Sequence, residues 1–444
     1  MADYRAPKGM LDIMAPDSAR WTRLVALFAT QAARAGFGLT VTPVIEHLEV
    51  FLRVGESTDV VRKEMYDFDD KGGRRIAVRP ELTASLMRAF AEHRPQVPWK
   101  TWTIGPNFRY EAPQAGRYRQ HYQLDAEIVG TDDPDADLEV ISLLDGFHRS
   151  LGLTRRTLYL NSLGDADCRP AYRDALVAYF EAHLDELSEQ SRTTLGLNPL
   201  RVLDSKRPED QALIDAAPRM ADHLSPAAEA HLAHVRRGLD TLGIAYELNH
   251  RLVRGFDYYN HTIFEFAAHA LGSAQNAIGG GGRYNGLVEQ LGGPAGTGGV
   301  GFGSGIERLL LACDAEGVFG APTEGVTAFV IDTTGDGHAL ALSHDLRRAG
   351  ISADRAFDGR SMKSQMKVAD RSGARFAVIV GSDEAAAGTV TVRNLRRGPA
   401  PADGPAPADG PAPADGPAGD GNASGQVTIA RTDLVSHLRK FLPT

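Results

Sequence analysis

Only two cysteines occur among 444 residues, Cys168 and Cys313, and neither stands in a CxxC or Cys/His pattern. That scarcity excludes a disulfide framework, argues against a structural zinc site and suits a reducing cytoplasm. Long apolar runs are also missing: no stretch approaches the ~18 residues that a membrane helix needs, and the opening MADYRAPKGMLD offers no signal-peptide core. A cytoplasmic protein without membrane contact is therefore expected. Positive charge is in deficit, with 48 Lys and Arg against 57 Asp and Glu, a net charge of −9. This balance argues against nucleic-acid binding over the whole surface, though not against a local basic face.

The remaining composition, 43% hydrophobic and 24% charged, is that of a globular chain. Its length suits two or three domains at ~150 residues each. ARWTRLVALFATQAARAG (19–36) predicts a long helix closed by Gly36, followed by LTVTPVIE as a strand. RIAVRPELTASLMRAFAEH (75–93) passes from strand to helix through Arg79-Pro80, and TWTIGPNFRYE and YRQHYQLDAEIVG are two strands joined by a Gly- and Gln-rich loop. HTIFEFAAHA and GVGFGSGIERLLLAC add strands and a helix, so residues 1–320 predict an α+β domain on an antiparallel sheet. Within it, roughly 165–245 is Ala-, Leu- and charge-rich at helical spacing and reads as a helical insertion.

From 325 the pattern changes. VTAFVID, ISADRAF and RFAVIVG read as strands separated by helices at 338–350 and 361–373, a small α/β domain over 325–444 with partly parallel strands. PADGPA then repeats three times, at 401–406, 407–412 and 413–418. Residues 399–425 thus predict a disordered loop. Alternating TVTVRNL (389–395) and QVTIART (426–432) flank it, so the repeat is expected to lengthen a hairpin. The domain carries net +3 over 325–398 and +2 over 426–444, against −4 in the repeat segment.

Three arginines come from separate segments: Arg109 in FRYE, Arg254 in LVRGFDYY, and Arg308 after the glycines of GVGFGSGIER. Singly, each is more readily a surface or ion-pair residue, and the glycine run lacks the GxxxxGK[ST] phosphate loop. Together they suit a reaction in which two anions meet and charge spreads over phosphate oxygens, because a guanidinium stays charged and grips phosphate in a bidentate way. Glu127 adds a signal of its own: a carboxylate in an apolar strand is costly unless paired, and Asp125 shares its face two residues away.

FRYE at 108–111 with its return strand resembles motif 2 of class II aminoacyl-tRNA synthetases, and GVGFGSGIERLLL (299–311) resembles motif 3. The strand around Pro43 resembles motif 1, which forms the homodimer contact in that class. RPELTAS (79–85), GRYRQHYQ with Glu127 (116–127), LVRGFDYYNHTIFEF (252–266) and GGGGRYNGLVEQLGG (279–293) narrow the resemblance to the histidyl-tRNA synthetase family, over nearly the whole chain.

The resemblance implies a class II-like catalytic domain and a C-terminal anticodon-binding domain. It also implies a homodimer and, as partners, histidine, ATP with Mg²⁺ and histidine tRNA. Glu81, Thr83 and Gln123 would hold the α-amino end of histidine, with Glu127 and Tyr259 at the imidazole. Tyr258 belongs either to that pocket or to the sheet core. Arg109 and Arg254 would flank the α-phosphate as catalytic groups, Arg117 and Arg308 the outer phosphates, and Glu111 the adenine side. His121 replaces the Phe that stacks on adenine in many family members, and imidazole stacks too. Lys8, Gly9 and Asp12 occupy places in a looser version of the family's opening pattern. Arg347, Arg348, Arg360, Lys363 and Lys367 are candidates for RNA phosphate contacts. Two rivals remain: a regulatory paralogue that binds histidine without ligating it, and a class II synthetase for another amino acid such as threonine or proline. Such paralogues generally lack the anticodon domain and lose parts of LVRGFDYY (252–259) and GRYRQ (116–120), both intact here, which weighs against the first. The second is opposed by the 252–266 segment and the lack of a zinc set.

Overall fold

The structure is a computed structural model and describes residues 4–55, 58, 60–272, 275–322, 325–396 and 425–442. The chain divides into two compact units, Met1–Ala321 and Pro322–Thr444.

The first unit is built on an eight-stranded sheet. Its strands run in the order Gly38–Leu39, Trp99–Phe108, Gln120–Val129, Gly299–Gly305, Ala277–Tyr284, Asn260–Ala268, Arg156–Ser162 and Glu247–Leu248. All inner pairings are antiparallel, and only the two short edge strands pair in parallel. Period-two alternation decides what each face carries. On Gln120–Val129, Leu124, Ala126 and Ile128 join the main core, as do Val300 and Phe302 on the next strand and Phe264 and Phe266 further along. The helices Asp17–Arg34 and Asp135–Ser150 cover this face through Leu24, Phe28, Ile141 and Phe147. Phe28 meets Trp102, Phe147 and Phe302 edge-on at centroid distances of 5.5, 5.0 and 6.2 Å. The opposite face receives Gln123, Asp125 and Glu127, opposite Gly305, Gly303 and Gly301.

LTVTPVIE is not one strand. It breaks into Gly38–Leu39 in the large sheet and Ile45–His47, which joins Arg75–Val78 and Tyr66–Asp69 in a three-stranded sheet. The cause is tertiary. The Arg79 guanidinium collects the carbonyls of Thr42 (3.0 Å) and Pro43 (3.3 Å), and the Arg79 amide donates to the Val44 carbonyl, which fixes 42–44 outside any ladder.

Between the strands ending at Ser162 and starting at Glu247, the chain is helical, with Arg169–Ala182, Glu189–Leu197, Gln211–Ala216 and Pro226–Leu242 as its α-helices. The last begins on Ser225, whose hydroxyl accepts the Ala228 amide, and stops at Gly243 in the left-handed region. These helices have a core of their own, including Tyr172, Leu176, Phe180, Val202 and Ile214. The buried Asp210 ties three turns together by accepting from Ser188, Ser191 and Ser205.

The second unit has a five-stranded sheet in the order Ala353–Arg355, Ala328–Asp332, Phe376–Val380, Thr389–Asn394 and Gln426–Ala430. Its first three strands are parallel and the last two antiparallel. Thr389–Asn394 and Gln426–Ala430 pair directly, while the repeat expected to loop between them lies outside the described residues.

Candidate active site

Three carboxylates gather on the cleft side of the large sheet. Glu81 stands before the helix Thr83–His93 and accepts its first amides, Thr83 at 2.8 Å and Ala84 at 2.7 Å. Burial pushes its carboxyl up to about 7, against the pull of those amides. Glu127 accepts the Thr83 hydroxyl at 2.9 Å and the Tyr284 hydroxyl at 2.7 Å, and burial pushes it up to about 8. Asp125 is held well above the usual carboxylate range by burial and by the neighbouring Glu127 and Glu81, and its Oδ1 accepts no hydrogen bond from the described residues. Asn107 donates to the Gln123 carbonyl, which turns the Gln123 amide nitrogen toward Gly303. A methyl group at Gly303 would stand 3.0 Å from Asp125 Oδ1, and one at Gly301 would collide with the Glu127 carboxylate. The alternating glycines therefore keep the floor of the cleft open.

The cations stand beside this acidic group. Arg109 is half-buried, donates Nε to the Pro80 carbonyl at 2.9 Å and lies 6.0 Å from the Phe256 ring centre. Arg254 donates to Glu265 Oε2 at 2.9 Å and lies 5.8 Å from the Tyr259 ring centre. Arg308 is anchored on the Ala277 carbonyl at 3.0 Å. His121 is pushed down to about 3 by burial and by Arg109 and Arg308, so its imidazole is neutral at physiological pH.

Two cavities meet here. The larger, about 600 Å³, is lined by Glu81, Thr83, Gln123, Asp125, Tyr258 and Tyr259 among others. The smaller, about 220 Å³, is lined by His121, Glu307, Arg308 and the glycines at 279, 280, 303 and 305. Arg109, Arg254, Gln123 and Glu265 border both. Of the residues singled out in the sequence, Glu127 lies one layer beneath the larger cavity rather than on its wall, 1% exposed. Glu111 and Arg117 stand outside the lining of both, where their opposite charges pair with each other across the hairpin turn. Tyr258 is at once core and wall: it stacks on Phe256 at 5.5 Å, meets Tyr284 edge-on and lines the larger cavity.

Sequence reasoning missed three participants. Tyr284, buried and bonded to Glu127, lies in the GGGGRYNG segment, whose local pattern gives it no role. Glu265 was legible in principle, because it alternates with the core residues Phe264 and Phe266 and must face the other way. Glu307, pushed up to about 7 by burial and bonded to the Tyr122 amide at 3.0 Å, had no local signal.

An antiparallel sheet with a motif 2 hairpin, a glycine-floored cleft and arginines from the hairpin, from the irregular segment before Asn260 and from the helix Ile306–Glu316 defines the catalytic domain of a class II aminoacyl-tRNA synthetase. Residues 9–309 match the family model of histidyl-tRNA synthetase, and residues 328–400 that of the anticodon binding domain. The chain belongs to the histidyl-tRNA synthetase family. It is 46% identical over 412 residues to the histidine–tRNA ligase of Saccharopolyspora erythraea, covering 91% of this chain and 97% of that one. To that of Rhodococcus erythropolis it is 47% identical over 401 residues, covering 89% and 94%. Apo histidyl-tRNA synthetase of S. aureus superposes with a TM-score of 0.78 at 33% identity, covering 98% of this chain and all of that one.

Proposed function

We infer that this chain catalyses the two-step ligation of histidine to its tRNA, as family membership implies, and that the chemistry takes place where the two cavities meet. In the first step the histidine carboxylate attacks the α-phosphorus of ATP, giving histidyl-adenylate and pyrophosphate. In the second, the terminal ribose of histidine tRNA takes the acyl group. The observation that carries the assignment is that Arg109 and Arg254 border both the carboxylate-lined cavity and the glycine-floored one. A guanidinium pair at such a junction neutralises the approach of two anions and stabilises charge on the five-coordinate phosphorus.

Histidine would occupy the larger cavity. Its ammonium would meet Glu81, Thr83 and Gln123, and its imidazole would meet Tyr259, with Tyr258 packed alongside. Glu127, one layer beneath that cavity, keeps lone pairs beyond those engaged by Thr83 and Tyr284, and one of these would accept from an imidazole nitrogen that reaches it. ATP would lie in the smaller cavity, with neutral His121 against the adenine and Arg308 on the outer phosphates. Arg117 would reach the phosphates by leaving Glu111, which then faces the adenine side. The hard oxygen donors Glu265 and Glu307 border that lobe, which suits Mg²⁺ carried in on ATP, where it supplies positive charge to the phosphates.

The anticodon-binding unit would contact RNA phosphate through Lys363 and Lys367 on the helix Met362–Arg371, together with Arg347, Arg348 and Arg360. Both cysteines are free and buried, which supports a reducing, cytoplasmic setting. No helix among the described residues is long and apolar enough to cross a membrane. A homodimer completes the reading.

Pyrophosphate exchange into ATP tests it. Exchange should depend on histidine and be absent with threonine or proline. Arg254→Ala should lower the exchange rate about 10²–10³-fold and leave histidine binding, followed by calorimetry, comparatively intact. Histidine binding without exchange in the wild type would instead make the chain a regulatory paralogue.

A further inference from the structure

Between Leu248 and Asn260 the chain forms neither helix nor strand, so no ladder fixes the segment that carries Arg254 and Tyr259. The sheet holds it at Leu252, whose carbonyl accepts from Asn161 at 3.0 Å, and at Arg254 through Glu265, and the helical insertion holds the rest. Asn198, which follows the helix Glu189–Leu197, accepts the Leu200 amide on Oδ1 at 3.1 Å and donates Nδ2 to Asp257 Oδ1 at 2.8 Å. Both ends of that amide are engaged, so its orientation is fixed. Arg169, the first residue of the insertion's first helix, donates Nη1 to the Tyr259 carbonyl at 2.9 Å, and its charge faces Asp257. Arg251 reaches back to Gln211 at 2.6 Å and to Asp215 at 3.2 Å. Apolar contact runs in parallel: Val253 packs against the insertion core, and Leu200 packs both there and in the cluster that contains Tyr258 and Tyr259.

We propose that the helical insertion is a positioning element of the adenylation site, in which Arg169 and Asn198 set the place of Arg254 and Tyr259 through Asp257 and the Tyr259 carbonyl. Neither residue touches the cleft: both stay outside the lining of the two cavities. Their action is indirect. An irregular segment takes its coordinates from whatever bonds its backbone and turns, and a misplacement of ~1 Å at reacting groups costs about a hundredfold in rate. The inference rests on the roles given to Arg254 and Tyr259 above.

Full-length Asn198→Ala, Arg169→Ala and Arg169→Lys proteins, compared in histidine-dependent pyrophosphate exchange and thermal unfolding, test it. Asn198→Ala should lower kcat about tenfold and Arg169→Ala by ten- to a hundredfold, with the melting temperature of Asn198→Ala lowered by no more than about 4 °C. Arg169→Lys, which keeps a cation before Asp257, should recover part of the loss. Tyr179→Phe, which removes a hydrogen bond to the Leu213 carbonyl inside the insertion, should leave kcat at the wild-type value. Wild-type kcat in both alanine variants, or an equal loss in Tyr179→Phe, overturns the proposal. Should Arg169→Ala fail to fold, Asn198→Ala decides alone. Absence of histidine-dependent exchange in the wild type would overturn the functional reading itself, and the two failures are thereby distinct.

Discussion

At the scale of single residues, the acidic pocket couples proton binding to both stability and substrate. Burial raises Glu127 to about 8 and Glu81 to about 7, from the ordinary carboxyl value of 4.5. Between pH 4.5 and 8 the folded chain therefore holds protons that the unfolded chain has released. Stability changes with pH in proportion to the protons bound unfolded minus those bound folded, so here it falls as pH rises. These groups stabilise the fold fully below about pH 4.5 and lose that effect by about pH 8. Glutamine mimics the protonated form. The melting temperature of Glu127→Gln should thus drop less than that of the wild type between pH 6 and 8.5. An equal or steeper drop would mean that Glu127 is already ionised in the folded protein. Histidine bound as proposed would supply the opposite influence, since its ammonium would favour the Glu81 carboxylate. Binding near pH 6.5 should release protons, seen as a dependence of the calorimetric heat on the ionisation enthalpy of the buffer.

At the scale of elements, the hairpin of the second unit makes the sharpest case. Its strands pair from Thr389↔Ala430 to Arg393↔Gln426, and the Asn394 amide donates to the Gly425 carbonyl, so the ladder runs to the edge of the described residues. Loop-closure entropy grows with the logarithm of length. Cutting a connection of about 30 residues to about 4 is three halvings, worth roughly 2 kcal/mol of stability. Replacing residues 397–424 by a short Gly-rich link should raise urea resistance by about that amount and leave pyrophosphate exchange unchanged. A less stable protein would mean that the repeat contributes contacts. The hairpin was legible because both strands alternate, as was the cleft face of Gln120–Val129, where polar 123, 125 and 127 interleave with apolar 124, 126 and 128. The break in LTVTPVIE was not legible. It depends on the Arg79 side chain more than thirty residues away, and no local pattern records such a contact. Tyr284 and Glu307 escaped for the same reason: their partners, Glu127 and the Tyr122 amide, lie far off in sequence.

At the scale of the whole molecule, the segment that breaks the strand also leaves apolar surface uncovered. Leu39, Val41, Val44 and Ile45 are 54, 76, 37 and 48% exposed, and both short strands there are sheet edges. Edges carrying apolar side chains invite another chain to cover them, and the homodimer proposed above would do so. The same segment is bolted to the active site. Arg79 binds Thr42 and Pro43 with one nitrogen and the Pro106 carbonyl with another at 2.9 Å, and two residues later Glu81 enters the pocket. Disturbing this proposed dimer face should therefore disturb histidine activation as well. Val41→Glu with Ile45→Glu places two carboxylates in an apolar contact, at ~2–3 kcal/mol each, enough to weaken association about 10³-fold or more. Sedimentation at micromolar concentration should show a wild-type dimer and a variant monomer, the variant with depressed histidine-dependent exchange. A wild-type monomer would remove the dimer. A monomeric variant with full exchange would cut the link through Arg79 and leave the exposed edge a matter of assembly alone.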